Sequence, residues 1–70
     1  MIERGRQVLI KAYGGQQLQR IVWEDVGKGL LLTTEQEYNR AIKENAEPIS
    51  VGFPKDDVIQ ILSSEDSKDT

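Results

Sequence analysis

The chain has 70 residues, of which 12 are acidic and 9 are basic, for a net charge of −3. It has no Cys and no His, which excludes disulfide bonds and the usual thiolate and imidazole metal ligands. No apolar run approaches the ~20 residues of a membrane helix, and the first residues, MIERGRQ, contain no apolar signal segment. We therefore expect a cytoplasmic protein without a membrane partner.

Composition divides the chain into one small β-rich domain over residues 1–62 and an acidic tail over residues 63–70. The tail, SSEDSKDT, has no apolar side chain, so burial cannot offset the entropy lost on ordering it. The sequence therefore predicts that the tail is disordered and dispensable for folding.

Short runs of β-branched and alternating apolar residues predict five strands: QVLIKAY (7–13), LQRIVWED (18–25), LLLTT (30–34), ISVGF (49–53) and VIQIL (58–62). The segments YGG and VGKG separate the first three strands. Glycine adopts positive φ at little steric cost, so both segments are typical of hairpin turns. The first half of the domain is therefore predicted to be an antiparallel meander.

The segment between the third and fourth predicted strands has the period of a helix. Thr34 is the expected N-cap, and Glu37 follows at the spacing of a capping box. Asn45 is the expected end, because Pro48 forces the residue before it into extended backbone. The apolar face of this helix is narrow and consists of Tyr38, Ala41 and Ile42.

Five strands and one helix predict a mainly β fold. It is either a small SH3-like barrel, similar to SH3 domains in strand order and length, or a curled five-stranded antiparallel sheet. The alternative is an open α+β sheet with one helix, in which a dimer partner covers the second face.

The leucines at 30–32 require cover on both faces of their strand, because successive side chains point to opposite faces. The helix can cover just one face. Either barrel closure covers the other, or the chain associates with itself as a homodimer or with a protein partner. In the associated form we expect contacts from Leu9, Ile21 or Leu31.

The candidate binding residues are Tyr13, Trp23, Lys11 and Arg20. The two aromatic residues could stack nucleobases or bind a proline-rich peptide, whereas the structural alternative is that the single Trp fills the core. If the first two strands pair around YGGQQ, Lys11 and Arg20 approach each other and form a modest positive patch.

The adjacent carboxylates of Asp56 and Asp57 are candidate ligands of a metal ion. Adjacent residues in a strand point to opposite faces, and no further oxygen ligands follow at a defined spacing. The sequence PKDD is also typical of a turn, in which Pro fixes φ and an Asp side chain binds a nearby backbone N–H. We therefore expect a turn here, with neither a metal ion nor another cofactor.

These features favour a non-enzymatic interaction or adaptor module that binds a protein or peptide partner. The sequence offers no recognisable catalytic constellation, and so short a chain leaves little volume for a cleft that excludes water. The alternative function is that of a small nucleic-acid-associated barrel that uses Lys11, Arg20 and the aromatic residues. The two functions differ in salt dependence, which is steep for nucleic acid.

Overall fold

The computed structural model describes residues 2–62. The strands are β1 (Gln7–Lys11), β2 (Gln17–Asp25), β3 (Gly29–Thr33), β4 (Val51–Pro54) and β5 (Val58–Ile61), and the helix α1 (Glu35–Glu44) lies between β3 and β4. Short 3-10 turns join β1 to β2 and β4 to β5. The prediction of a mainly β fold with one helix is confirmed, whereas the predicted tail at 63–70 lies outside the described residues.

All five strands form one antiparallel sheet in the order β4-β3-β2-β1-β5. The first three strands are the predicted meander. The first strand ends before Tyr13, earlier than the sequence predicts, because Gly14 and Gly15 turn the chain with φ values of 77° and 82°. The last strand returns to pair with β1, so β4 and β5 are the two edges.

The sheet curls because the connection between its two edges is short. In a flat sheet of five strands the edges would lie about 19 Å apart. Only Lys55–Asp57 separates β4 from β5, and such a connector spans at most about 14 Å. The curled-sheet prediction is therefore confirmed.

The curled sheet does not close into a barrel, since β4 and β5 are not paired with each other within residues 2–62. The topology explains this. Every neighbouring pair is antiparallel, so β4 and β5 run in the same direction, and closure would make them parallel neighbours. Parallel neighbours need a crossover of roughly a dozen or more residues, which the three-residue connector Lys55–Asp57 does not provide.

One face of the sheet holds the core. Its fully buried members are Val8, Ile10, Val22, Leu30 and Leu32. Cross-strand partners point to the same face, and Val22 pairs with Leu32. The alternation predicted for the leucines is confirmed, because Leu31, between the two buried ones, is only half-buried and points to the opposite face.

The helix begins and ends where the sequence predicts. Thr34 Oγ1 accepts a hydrogen bond of 3.2 Å from Glu37 N, and Asn45 ends the helix in the left-handed region with φ of 54°. Two details differ from expectation. The Glu37 carboxylate binds Arg40 and the backbone of Ile49 instead of the N-cap, and Ile42 is exposed although it belongs to the predicted apolar face.

Among the residues predicted to contact a neighbour, Ile21 is buried within the single chain, so that part of the prediction is wrong. Ile21 pairs with Thr33, which is also buried, on the face opposite the main core. Leu9 and Leu31 remain half-buried. The exposed large apolar side chains lie mostly toward the two sheet edges, at Val26, Ile49, Val51, Ile59 and Ile61.

Candidate functional site

The structure does not bring Lys11 and Arg20 together. Lys11 pairs with Gln17, whereas Arg20 pairs with Val8. Because partners share a face and successive residues alternate, the two cations point to opposite faces of the sheet. Tyr13 is fully exposed in the turn between β1 and β2. The four predicted site residues therefore do not form one surface.

Trp23 is half-buried and holds other parts of the chain to β2. The guanidinium carbon of Arg4 lies 4.0 Å from the ring centroid, and Arg4 Nε donates a 2.6 Å hydrogen bond to the Trp23 carbonyl oxygen. The Tyr38 ring of α1 meets the indole edge-on, with centroids 6.0 Å apart. Arg4 thus occupies a ring face that a base or a proline would need. The geometry favours the structural role of Trp23.

Asp25, at the end of β2, joins three segments. The sequence patterns did not predict this role. Its side chain is only 4% exposed. One carboxylate oxygen accepts from Ile2 N at 2.8 Å, and the other accepts from Gly27 N at 2.8 Å and lies 2.9 Å from Lys55 Nζ. These donors, led by the Ile2 N–H, hold the pKa of Asp25 well below its usual range.

The Asp25 contacts fix the turn between β2 and β3 relative to the connector between β4 and β5. The short-range part had a sequence signal, because an Asp two residues before a Gly is typical of an Asx turn. The contacts with Ile2 and Lys55 had none, since nothing local in the sequence specifies partners so far away along the chain.

Beside this point lies an apolar groove of about 340 Å³ between the β2–β3 turn and β4. Its lining includes Val26, Lys28, Leu31, Gly52, Phe53 and Pro54. Leu31 pairs with Gly52 across β3 and β4. Since Gly52 has no side chain, the flank of Leu31 stays open. A Cβ added at Gly52 would lie 3.8 Å from Leu31 Cδ2, so any larger residue there would enter the groove.

The edge strand β4 forms one wall of this groove. It contains no charged residue, and Val51 is 58% exposed. Among the lining residues named above, Lys28 is the only charged one, and it is exposed. Lys55, the next cation along this edge, is paired with Asp25. The groove therefore combines an apolar floor, an uncharged strand edge and one cation.

Side-chain bonds hold the chain that leads into β4. Glu37 Oε1 accepts from Arg40 Nη2 at 3.0 Å and from Ile49 N at 3.1 Å, while Thr33 Oγ1 donates to the Ile49 carbonyl oxygen at 2.8 Å. The Arg40 guanidinium and the Ile49 N–H lower the pKa of Glu37, and the Glu37 carboxylate in turn raises the pKa of Arg40. The helix thereby sets the position of the edge strand.

The other edge, β5, has a similar character. It contains no charged residue, and Ile59 and Ile61 are 47% and 43% exposed. A bulge at Ile59 interrupts its pairing with β1, since Leu9 pairs with Gln60 and Ile10 pairs with Val58. Both edges of the sheet thus expose apolar side chains.

Asp56 and Asp57 lie in the 3-10 turn between β4 and β5, as the turn interpretation predicts. Over residues 2–62 the structure contains no group of three or more acidic side chains placed to hold a metal ion. In the same range no helix has the length and apolar character needed to cross a membrane.

Comparisons of the chain with protein-family models, with curated proteins and with solved structures find no match.

Proposed function

We propose that this protein is a non-enzymatic interaction module that binds an extended segment of a partner protein at the β4 groove. A single observation supports this function: an apolar groove lies directly beside an uncharged strand edge that has no pairing partner within residues 2–62. A segment added to that edge would pair with the outward backbone groups of β4 and would insert alternate side chains into a neighbouring pocket.

The shape and charge of the groove suggest the chemistry of the segment. The groove is open to solvent, whereas a small molecule usually buries most of its surface in its site. The Leu31 floor favours a large aliphatic or aromatic side chain. Lys28 at the rim favours an acidic residue next to it. We therefore propose an extended segment with one large apolar residue flanked by an acid.

The alternative function, nucleic-acid association, has weaker support. It requires a positive surface with free aromatic faces. Lys11 and Arg20 point to opposite faces, and Arg4 covers one face of Trp23. Fully exposed Tyr13 is the remaining feature that favours it.

The test uses the groove-filling variant Gly52→Val. Gly52 does not have a positive φ, and a β-branched residue suits a strand, so the variant should fold while its side chain occupies the groove. Peptides selected from a displayed random library would be labelled and titrated by fluorescence anisotropy. We expect Gly52→Val to weaken binding by at least roughly tenfold, the equivalent of about 1.4 kcal/mol.

The matched control is Gln17→Val, which adds the same side chain at an exposed strand position far from β4 along the sheet. It should bind like the wild type. Equal binding by Gly52→Val and the wild type would exclude the groove as the site. Binding of labelled single-stranded DNA that falls steeply with salt would instead support the alternative function.

A further inference from the structure

A second cavity, of about 470 Å³, lies between the end of β2 and the C-terminal end of α1. Strand β2 contributes Trp23 and Glu24 to its wall, and the end of the helix contributes Ile42, Ala46 and Glu47. None of its lining residues belongs to the β4 groove. A ligand in this cavity would therefore leave the β4 groove free.

A bulge in β2 turns Glu24 toward this cavity. Regular alternation would put Glu24 on the core face together with Val22. Instead Val22 pairs with Leu32 and Glu24 pairs with Leu31, so β2 contains one residue more than β3 at this point. Because cross-strand partners share a face, Glu24 points away from the core, as Leu31 does. The bulge thus adds a carboxylate to the cavity wall.

The cavity wall carries a net negative charge, because its charged residues are two acids, Glu24 and Glu47, and one base, Arg4. The ion pairs within residues 2–62 involve none of these three side chains. Carbonyl groups at the C-terminal end of a helix add partial negative charge to such a wall. Lys28, in the turn that follows β2, lines the β4 groove instead.

The cations of the helix do not neutralise the two acids of the cavity. The Arg40 guanidinium binds the carboxylates of Glu37 and Glu44. It also lies 3.4 Å from the carbonyl oxygen of Glu47, but not within ion-pair distance of the Glu47 carboxylate. Lys43 is exposed and is not a lining residue. The cavity therefore attracts a further cation.

Apolar surface lies beside this charge. Ile42 is 55% exposed, and the small side chain of Ala46 lines the same wall. Cations such as those of lysine and arginine carry aliphatic stems that pack on apolar surface while the charged end stays polar. Arg4 shows that the wall accommodates a guanidinium, which lies 4.0 Å from the Trp23 ring centroid. The same contact leaves that ring face closed to another ligand.

We propose that this cavity binds an organic cation with a short aliphatic stem, either an alkylguanidinium or an alkylammonium group. The stem packs on Ile42, and the carboxylates of Glu24 and Glu47 hold the charged end. This chemistry is shared by free polyamines and by the arginine or lysine side chains of a partner protein.

The test titrates the full chain with n-butylguanidinium and, as the matched control ligand, with n-butylurea, which has nearly the same shape and no charge. Trp23 is the only tryptophan of the chain, so its fluorescence reports on the cavity directly. Titration up to about 50 mM covers weak binding, and low salt limits screening of the exposed carboxylates. The cation should give a saturable change, whereas the urea should give none.

Glu24→Gln and Glu47→Gln keep the shape of each side chain and remove its charge. Both residues are exposed, so the variants should fold. Each should weaken binding by up to roughly fivefold, the contribution of an exposed ion pair, and the double variant should weaken it more. Glu35→Gln is the matched control, because Glu35 is exposed at the opposite end of α1. It should bind like the wild type.

Three results would overturn the proposal: no saturable binding of the cation, equal binding of the urea, or unchanged affinity in the double variant. The first two need no variant, so they do not depend on how a substitution folds. Gly52→Val should leave this binding unchanged, because Gly52 lines only the β4 groove. The cavity and the groove are therefore tested independently.

Two further ligands distinguish the sources of the cation. A peptide with one arginine between glycines represents a partner protein, and spermidine represents a free polyamine. Tighter binding of the peptide than of spermidine would support the cavity as a site for a partner's side chain. Tighter binding of spermidine would support it as a site for a free amine. Loss of the tighter binding in Glu24→Gln is expected in both cases.

Discussion

The central strands and the edge strands share one sequence pattern but differ in burial. In the centre, Val8, Val22 and Leu30 are fully buried, whereas at the edges Val51, Ile59 and Ile61 are 43% to 58% exposed. Alternation decides which residues share a face of a strand, but the position of the strand in the sheet decides whether that face is covered. The same kind of side chain thus stabilises the fold in the centre and remains exposed to solvent at the edge.

The largest effect is expected from a cavity in the centre. Leu30→Ala should lower the free energy of unfolding by about 2–5 kcal/mol, because a fully buried leucine leaves a cavity when truncated. Urea denaturation measures this loss. Leu31→Ala removes the same atoms from the opposite, half-buried face and should cost clearly less. Equal losses would contradict the assignment of the core to one face.

The next largest effect is a change in the pH dependence of stability, which follows from the Asp25 contacts. The pKa of Asp25 is lower in the folded chain than in the unfolded chain, so its stabilisation is complete above about pH 4 and is lost as pH falls through the folded value. Asp25→Asn should be less stable than the wild type at neutral pH and should lose less stability on acidification. Glu37, whose pKa is also lowered, leaves the variant some pH dependence.

Thermal unfolding from pH 7 to pH 2 would measure this difference. Asp56→Asn is the control, since Asp56 is exposed and makes none of the Asp25 contacts. It should follow the wild-type curve. An Asp25→Asn curve parallel to that of the wild type would show that the carboxylate contributes nothing beyond its shape.

A smaller effect is expected at the start of the helix that positions β4. Thr34→Ala removes the hydroxyl that accepts from Glu37 N and should cost about 1 kcal/mol of unfolding free energy. Thr34→Ser keeps the acceptor and should remain close to the wild type. Chemical denaturation of the three proteins tests this, and a Ser variant as unstable as the Ala variant would exclude capping as the reason.

The smallest effect is expected from a substitution at the sheet edge, and the same substitution in the core provides the comparison. Val51→Thr at the edge should change unfolding free energy by less than about 0.5 kcal/mol, because the added hydroxyl remains in water. Val22→Thr places the same hydroxyl in the core and should cost about 1–3 kcal/mol if it finds no partner there. Denaturation at a concentration where the protein is monomeric measures both, and similar losses would remove the distinction between centre and edge.

Local signals explain what the sequence predicted of the fold. Both ends of the helix, at Thr34 and Asn45, and the glycine turns depend on neighbouring residues alone. They were predicted correctly. The position of β5 beside β1 depends on pairing between distant segments. The open sheet follows from that pairing and from the length of one connector, so the sequence left barrel and curled sheet as alternatives.

The candidate site was harder to predict because it depends on register. The turn after β1 closes with Ala12 N donating to Gln16 O, which pairs Lys11 with Gln17 and separates Lys11 from Arg20. The groove depends on Gly52 pairing with Leu31 across two strands that α1 separates in sequence. A glycine inside a predicted strand was a usable signal, since it often marks the close approach of another chain.

The Asp25 carboxylate has a consequence for the beginning of the chain. Amide protons near a terminus usually exchange with solvent quickly, because chain ends fray. The Ile2 amide instead donates to an almost fully buried oxygen at the far end of β2. Because this hydrogen bond must break before the Ile2 amide can exchange, that amide should exchange more slowly than one at a frayed chain end. The second residue of the chain would then report on the contact that ties this segment to the end of β2.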